Sequence, residues 1–384
     1  MLKLVIVSLA LIQLSSAVVQ EWSQCGGTGY AGDSACASGT TCSFFSDAFW
    51  RCERFDYGFK VGVRQILDCN GKEFLIRGVN SANADWDNHY RYYARKSLKS
   101  ISTLGANTVR IQWRIGVTGN LVMADLENAI KEAIRNKMAV IVQLHDATGS
   151  SDPSQVTRLA QWFADNIYVF QRYHRFLMIN IANEWSPFGT SAQVWHDAYK
   201  TAISIIRNKG WKGILIIDAP AYAQDPTAIE SHGQSLVNHD KSAHANGNIV
   251  FSIHAYADWK AYGGRYNLDD HVNKLYNTGV TWIFGEFADK HPEHPSCSWV
   301  DIDYVKLMTL CRDKRIGYLG WSWAGNGNDC NTSLTPLNLV SGNQDLEYTW
   351  LKSSTNDLTE WGKRLFTTPN VGIQATSVKG TFFP

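Results

Sequence analysis

Short apolar runs alternate with amphipathic stretches along this chain from about residue 57 onward. The apolar runs predict eight strands: Phe74–Asn80, Asn107–Trp113, Ala139–His145, Phe176–Asn183, Gly213–Asp218, Asn248–His254, Thr281–Glu286 and Gly317–Trp323. Helical periodicity is clear in five intervening stretches: Tyr92–Leu104, Leu121–Asn136, Val156–Phe170, Gln193–Lys209 and Val300–Lys314. Eight strands with helical crossovers indicate an α/β fold, a parallel sheet closed into a (β/α)8 TIM barrel over residues 57–370.

An open, doubly wound sheet is the alternative arrangement for the same succession of elements. No glycine-rich phosphate loop follows the first predicted strand, which argues against a nucleotide-binding version of that sheet. We therefore favour the closed barrel.

The first residues have the pattern of a secretory signal peptide. Lys3 supplies a positive charge, Leu4–Leu14 is apolar, and Ser15–Ala17 provides small residues for cleavage. The apolar run is too short to anchor the chain in a bilayer, and no later stretch is long and apolar enough to span one. We expect residues 1–17 to be removed and the mature protein to be secreted to the extracellular space, where disulfides form.

A cysteine-rich segment follows directly. Cys25, Cys36, Cys42 and Cys52 lie among glycines, with too few aliphatic residues for a core, so disulfides must hold the segment together. Four cysteines allow three pairings, and spacing alone does not choose among them. Zinc is disfavoured because C-x-x-C and C-x-x-H spacings are missing. We predict a small disulfide-stapled β module over residues 18–53.

Composition narrows the choice of partner. The formal net charge is +1, which leaves no excess of Lys and Arg to neutralise nucleic acid or an anionic membrane. The chain has 15 Trp, 16 Tyr and 16 Phe, a stock that suits either a large core or sugar binding. Nothing in the sequence demands more than a monomer.

Polar side chains gather at one end of the predicted strands. The residues near the carboxyl ends are Arg110, His145, Asn183, Glu184, His254, Glu286, Trp321 and Trp323. In a barrel this end carries the catalytic site. Glycoside cleavage needs a proton donor and a second carboxylate, and Glu184 and Glu286 each end an apolar strand. The alternative is that both are ordinary exposed glutamates that cap the following helices. That alternative does not explain why both end an apolar strand within the same group of polar residues.

Other chemistries have weaker support. The loop His291–His294 fits no strong zinc signature, and no G-x-S-x-G elbow indicates a serine hydrolase. We expect no cofactor and no metal.

Several segments of the predicted barrel resemble glycoside hydrolase family 5. They are NIANEW at 180–185, FSIHAY at 251–256, GEF at 285–287 and GWSWAGN at 320–326. HDATG at 145–149, GANTVR at 105–110 and RGVN at 77–80 are similar to its β-mannanase branch. The resemblance implies a retaining double displacement with Glu184 as acid/base, Glu286 as nucleophile, and carboxyl groups roughly 5–5.5 Å apart.

The same resemblance implies a supporting set of residues. Arg110 and Tyr256 are expected beside Glu286, His254 beside Glu184, and Asn183 at the sugar 2-hydroxyl. Further substrate-binding candidates are His145, Trp86, and either Trp321 or Trp323 under the −1 sugar.

The cysteine-rich segment resembles the fungal-type family 1 carbohydrate-binding module. WSQCGG at 22–27 and CASGTTC at 36–42 carry the resemblance. It implies the pairs Cys25–Cys42 and Cys36–Cys52 and an aromatic face that binds a cellulose surface, for which we expect Trp22, Phe49 and Trp50.

Four cysteines remain. In the predicted barrel, Cys297 and Cys330 lie in loops at the active-site end, whereas Cys69 and Cys311 lie towards the opposite end. We therefore predict the disulfides Cys297–Cys330 and Cys69–Cys311.

Taken together, the resemblance implies an extracellular endo-β-1,4-mannanase acting on plant cell-wall mannans, with a cellulose-targeting module. The nearest alternative is an endo-β-1,4-glucanase on the same scaffold, because both use the same two glutamates. A non-catalytic polysaccharide-binding protein is the alternative of another class, against which the joint presence of Glu184, Glu286, Asn183 and Arg110 argues.

Overall fold

The computed structural model of the chain describes residues 18–84, 90–115, 122–243, 247–289, 300–326 and 337–383. The predicted signal peptide lies outside these ranges. The chain divides into two compact units, Met1–Arg54 and Phe55–Pro384.

The first unit is a three-stranded antiparallel sheet. Its strands are β1 (Gln24–Gly26), β2 (Thr40–Ser46) and β3 (Phe49–Arg54), in the order β1-β3-β2. Disulfides join Cys25 to Cys42 and Cys36 to Cys52, which confirms the pairing implied by the resemblance. Their sulfurs fill the space that a larger domain would fill with aliphatic side chains.

The second unit contains the closed barrel. A short antiparallel hairpin, β4 (Lys60–Val61) and β5 (Ile66–Leu67), precedes it. The barrel strands are β6 (Arg77–Ala84), β7 (Thr108–Trp113), β8 (Ala139–Leu144), β9 (Leu177–Asn180), β10 (Leu215–Asp218), β11 (Ile249–Ala255), β12 (Trp282–Phe287) and β13 (Gly317–Gly320). They are parallel and close in sequence order, with β13 pairing β6. The predicted (β/α)8 architecture is confirmed.

Helices surround the barrel. They are α1 (Tyr90–Thr103), α2 (Met123–Arg135), α3 (Pro153–Asp165), α4 (Ile167–Gln171), α5 (Ala192–Asn208), α6 (Pro226–Ala243), α7 (Leu268–Thr278), α8 (Tyr304–Asp313), α9 (Glu347–Trp350), α10 (Glu360–Thr367) and α11 (Ile373–Thr376). The sequence pattern missed α6 and α7, and it also missed α9, α10 and α11 after the last strand. In α6 the position that packs near Phe251 of the sheet is Gly233. Glycine has no side chain, so this buried position does not contribute to an apolar helical periodicity.

The chain beyond residue 370 belongs to the folded unit. Helix α11 follows that point, and Phe382 and Phe383 are buried. The ring of Phe383 stacks on Phe176, just before β9, with centroids 5.4 Å apart. Since Phe176 precedes its strand, these rings cover the amino-terminal end of the barrel, opposite the expected active site.

The predicted Cys69–Cys311 disulfide is wrong. Neither cysteine takes part in a disulfide, and both are buried. The Sγ atom of Cys69 lies 3.9 Å from Oδ1 of Asn70, in the turn after β5, whereas burial in α8 raises the pKa of Cys311 to about 12. Location at the same end of a barrel does not supply the Cα separation and Cβ orientation that a disulfide needs. The predicted Cys297–Cys330 pair lies outside the described residues.

Among the described residues, no helix combines the length and hydrophobicity needed to cross a bilayer.

Substitution of Gly78 by alanine should destabilise the barrel. An added Cβ would lie 1.9 Å from the carbonyl oxygen of Thr108, so β6 and β7 must separate. We expect a loss of about 1–3 kcal/mol of unfolding free energy, measured by urea denaturation. The matched control is Gly233→Ala, whose Cβ meets side-chain atoms of Ile229 and Phe251 no closer than 3.1 Å and which gains helix propensity. Equal stability of the two variants would contradict this packing argument.

Candidate active site

A cleft of about 590 Å³ opens at the carboxyl ends of the barrel strands. The side chains that line it are Arg114, His145, Thr148, Glu184, Phe188, Tyr222, Gln224, Tyr256, Ala257, Glu286, Trp321 and Leu337. Both predicted catalytic glutamates are in this set, although 102 positions separate them in the sequence.

Glu286 lies in β12 directly after an irregularity of that strand: Ile253 of β11 pairs with Phe284, the next residue His254 pairs with Glu286, and Gly285 is the extra residue. The preceding residue must be small, because a Cβ on Gly285 would lie 2.1 Å from Oγ of Ser252. The irregularity and the glycine together bring two polar side chains to the same rim of the barrel.

Two donors hold the Glu286 carboxylate. Arg110 Nη1 donates to Oε1 at 2.6 Å, and the Tyr256 hydroxyl donates to Oε2 at 3.0 Å. The pKa of Glu286 is raised to about 7, and burial is the largest cause. Arg110 and the Tyr256 hydrogen bond lower it, whereas the carboxylate of Asp218 adds to the rise. Both predicted neighbours of Glu286 are present.

Glu184 follows β9 and is the more exposed of the pair, with 15% of its side chain accessible. Its backbone φ of +44° lies in the left-handed region, a conformation that other contacts must hold. Oε1 lies 2.8 Å from Nδ1 of His254, as the resemblance implied. A carboxylate oxygen of Glu184 lies within 4.8 Å of one of Glu286.

Arg110 is the centre of the polar network and is 1% exposed. Nη1 donates to Oδ1 of Asn80, Nε to Oδ1 of Asn180 and Nη2 to Oδ1 of Asn183, at 2.7–2.9 Å. The guanidinium therefore fixes side chains from strands on different sides of the barrel.

Asp218 is a member of this network that the sequence reasoning missed. It is fully buried at the end of β10, where Oδ2 accepts from the backbone N–H of Glu184 at 3.0 Å and lies 3.5 Å from Arg110 Nη2. Burial raises the pKa of Asp218, and Arg110 opposes that rise. The signal was available, since this acid ends a predicted strand just as Glu184 and Glu286 do.

Two histidines of the site are neutral over the physiological range. Burial, followed by the charge of a nearby arginine, lowers the pKa of His145 and of His254 well below the usual value. Nε2 of His254 lies 3.5 Å from Asp218, and the ring of His145 lies 6.3 Å from Trp321 at a tilt of 32°. Neither histidine adds positive charge to the cleft.

The remaining predicted residues fall in different places. Asn183 is fully buried, and its amide donates to Thr148 Oγ1 at 3.0 Å. Trp321 lines the cleft. Trp323 does not, because β13 ends at Gly320 and strand alternation stops there; its ring donates to the Trp350 carbonyl beneath the surface. Trp323 is therefore not a cleft residue, and Trp86 lies outside the described residues.

The aromatic side chains of the first unit lie on both faces of its sheet. Arg51 stacks over Trp22 at 4.9 Å and over Phe45 at 4.6 Å, and Phe45 meets Phe49 edge to face. Alternation along β3 directs Trp50 to the other face, where it packs against the buried Phe44. The structure thus groups Trp22 and Phe49 with Phe45, which was not predicted, and separates them from Trp50.

Glu184, His254 and Glu286 have the spacing of metal ligands. The residues disfavour a divalent ion at this place, because the guanidinium of Arg110 already supplies a positive charge 2.6 Å from Oε1 of Glu286.

Comparisons with known proteins agree with this geometry. Residues 67–327 match the family model for cellulase (glycosyl hydrolase family 5), and residues 21–49 match the fungal cellulose binding domain. A mannan endo-1,4-beta-mannosidase of Streptomyces lividans is 31% identical, over 87% of this chain and 79% of the relative. One from Salipaludibacillus agaradhaerens is 29% identical, over 85% and 96%.

A solved structure extends the likeness to three dimensions. The beta-mannanase of Streptomyces thermolilacinus with mannohexaose superposes with a TM-score of 0.70 at 27% identity, covering 84% of this chain and 97% of that one. The family model spans well over half of the chain and includes both cleft glutamates. This protein belongs to glycosyl hydrolase family 5.

Proposed function

We propose that this chain is a retaining endo-β-1,4-mannanase that hydrolyses internal β-1,4-mannosidic bonds of plant cell-wall mannans. One observation carries the proposal: two glutamates with oxygens within 4.8 Å of each other share one open cleft. Retaining glycosidases place their carboxyl groups about 5–5.5 Å apart, whereas inverting enzymes need about 6.5–9.5 Å to admit a water. The observed spacing supports direct attack by a carboxylate.

In the first step Glu184 gives its carboxyl proton to the glycosidic oxygen while an oxygen of Glu286 attacks the anomeric carbon. The bond from that carbon to the leaving oxygen breaks, and a glycosyl ester of Glu286 forms. Glu184 suits the donor role because it is the more exposed of the pair and faces the cleft.

In the second step Glu184, now ionised, takes a proton from water. The water oxygen bonds to the anomeric carbon and the ester bond to Glu286 breaks, which restores both carboxyl groups. One water is consumed, and the anomeric configuration is retained by the two inversions.

The buried donors match these steps. Arg110 and Tyr256 stabilise the charge on Glu286 before attack and again when the ester breaks. Asn183, held by Arg110 and Thr148 next to Glu184, is the candidate partner of the sugar 2-hydroxyl. Trp321 is the candidate floor of the −1 subsite because it lines the cleft and Trp323 does not.

Mannan is favoured over glucan because the similar relatives are mannan endo-1,4-beta-mannosidases and the superposed structure is a beta-mannanase with mannohexaose. The second candidate is an endo-β-1,4-glucanase, which the family description itself favours. A polysaccharide-binding protein without catalysis is disfavoured, because both carboxylates keep the neighbours that catalysis needs. Glu286 has Arg110 and Tyr256, and Glu184 has His254.

The amino-terminal unit is proposed to bind cellulose through Trp22, Phe45 and Phe49, the aromatic group gathered around Arg51. We further propose that the protein is exported and acts as a monomer. Two disulfides in the first unit support export, and a site whose glutamates and hydrogen-bond donors all come from one chain requires no second subunit.

Replacement of the two carboxylates should separate the steps. Glu184→Gln should lower kcat/KM for mannopentaose about 10²–10⁴-fold, the usual contribution of a general acid. Glu286→Gln should abolish mass labelling of the protein by a 2-deoxy-2-fluoro-mannoside, because no ester forms. For the wild-type protein, release of reducing ends from locust-bean mannan would identify a mannanase, and release from carboxymethylcellulose would identify a glucanase. Glu132→Gln, which removes a surface ion pair with Arg135, is the control. Full activity of Glu286→Gln would refute the mechanism.

Tyr256→Phe should move the acidic limb of the kcat/KM profile to higher pH. Glu286 must be ionised to attack, and its pKa of about 7 places the wild-type limb near neutrality. Loss of the hydroxyl removes a hydrogen bond that lowers this pKa, so the carboxylate gains its proton at higher pH. The control is Tyr173→Phe, which deletes another Tyr–Glu bond, to Glu127 on α2. A limb that stays in place, or moves equally in both variants, would contradict this assignment.

Trp22→Ala should weaken binding of the full-length protein to microcrystalline cellulose about tenfold, since it removes an exposed flat ring. Trp50→Phe is the matched control, because Trp50 lies on the other face of the sheet. Binding lost in Trp50→Phe and kept in Trp22→Ala would reverse the assignment of the face.

A further inference from the structure

A pair of aromatic rings lies on the Glu184 side of the cleft. We propose that Phe188 and Tyr222 form the subsite that binds the sugar units on the leaving-group side of the scissile bond. This inference rests on the proposed glycosidase function, and it assigns the two rings to the part of the mannan chain that departs first.

The rings are placed for contact with a saccharide. Both line the cleft, their centroids lie 5.2 Å apart, and their planes are tilted by 48°. Phe188 is 49% exposed, which is high for a large apolar side chain in a folded enzyme. An exposed flat ring beside polar groups such as Gln224 suits the apolar face of a pyranose, whose hydroxyls remain at the edge.

The pair is built on the same backbone as the proton donor. Phe188 follows Glu184 by four residues, and the N–H of Tyr222 donates to the carbonyl of Ser186 at 2.9 Å. On the other flank, the N–H of Gly149 donates to the carbonyl of Glu184 at 3.0 Å. Any shift of the rings would therefore be transmitted to the residue that delivers the proton.

Geometry fixes which side of the bond they serve. A general acid must lie against the glycosidic oxygen that leaves, so the departing sugar lies on the Glu184 side of the cleft. Glu286 on β12 and Trp321 after β13 come from the opposite arc of the barrel, where the sugar that forms the ester must rest. Phe188 and Tyr222 come from the loops after β9 and β10, on the acid side.

The backbone around Tyr222 is strained. Ala221, Tyr222 and Ala223 have φ values of +59°, +56° and +59°, a run of three non-glycine residues in the left-handed region. Each costs about 1–2 kcal/mol relative to ordinary backbone. Such strain persists only where neighbours impose it, and it concentrates at functional sites.

The contacts that impose the strain also fix the ring. The N–H of His254 donates to the carbonyl of Ala223 at 2.8 Å, which ties the turn to β11, the strand that carries His254. A Cβ on Gly149 would come within 2.8 Å of the Tyr222 ring, so that ring packs directly on a bare backbone. The result of this strained turn is the position of one aromatic side chain in the cleft.

The test compares a substrate with sugars on both sides of the scissile bond and a substrate with sugars on one side only. Mannopentaose places sugars on both sides of that bond, whereas β-mannobiosyl fluoride has a leaving group without a ring. We expect Phe188→Ala to lower kcat/KM for mannopentaose about tenfold more than for the fluoride. Phe188→Tyr, which keeps a ring, should recover most of the difference. Tyr168→Ala is the control, an exposed aromatic on α4, which precedes β9 at the other end of the barrel.

A second readout uses the same subsite in reverse. With the fluoride as donor and mannotriose as acceptor, the ester of Glu286 partitions between water and sugar. Phe188→Ala should lower the fraction transferred to mannotriose. Equal losses on both substrates, or no loss on either, together with unchanged transfer, would overturn the subsite while leaving the hydrolase intact. A wild-type protein inactive on both substrates would instead refute the proposed function itself.

Discussion

The guanidinium of Arg110 is the interaction on which the site depends. It comes from β7 and reaches Asn80 on β6, Asn180 on β9 and Glu286 on β12. A cation that is 1% exposed is stable only when its donors are used, and here carboxylate and amide oxygens use them. Because the partners come from strands far apart in sequence, the barrel must close before the guanidinium is fully bonded. Folding and catalytic competence therefore share one set of hydrogen bonds.

The cluster around Arg110 also sets the charge balance. Glu286 and Asp218 face one fixed positive charge, and the two nearby histidines stay neutral. The pKa of a buried carboxyl in such a cluster depends on every member, because water is excluded and screening is weak. The pKa of the Glu286 carboxyl is thus set by burial and Asp218, which raise it, against Arg110 and the Tyr256 hydroxyl, which lower it.

Much of this arrangement was readable from the sequence. Eight apolar runs with polar ends gave the barrel, and the same rule placed Glu184, Glu286 and Arg110 at one rim, because strand direction is fixed in a parallel barrel. The rule failed for Trp323, since the strand ends at Gly320 and alternation no longer applies. The same rule should also have identified Asp218, because this acid ends a predicted strand. The Cys69–Cys311 pair failed because topology does not give side-chain orientation.

The details beyond that rule depend on backbone geometry that no pattern encodes. Nothing in the letters Ala-Tyr-Ala predicts three left-handed residues, as alanine has no preference for that region. The turn has a practical consequence for protein engineering. Glycine at positions 221 and 223 would adopt the same backbone at lower energy and would add no side chain to these buried positions, so both are candidate sites for a more heat-resistant enzyme. Tyr222 between them must be kept, because its ring lines the cleft.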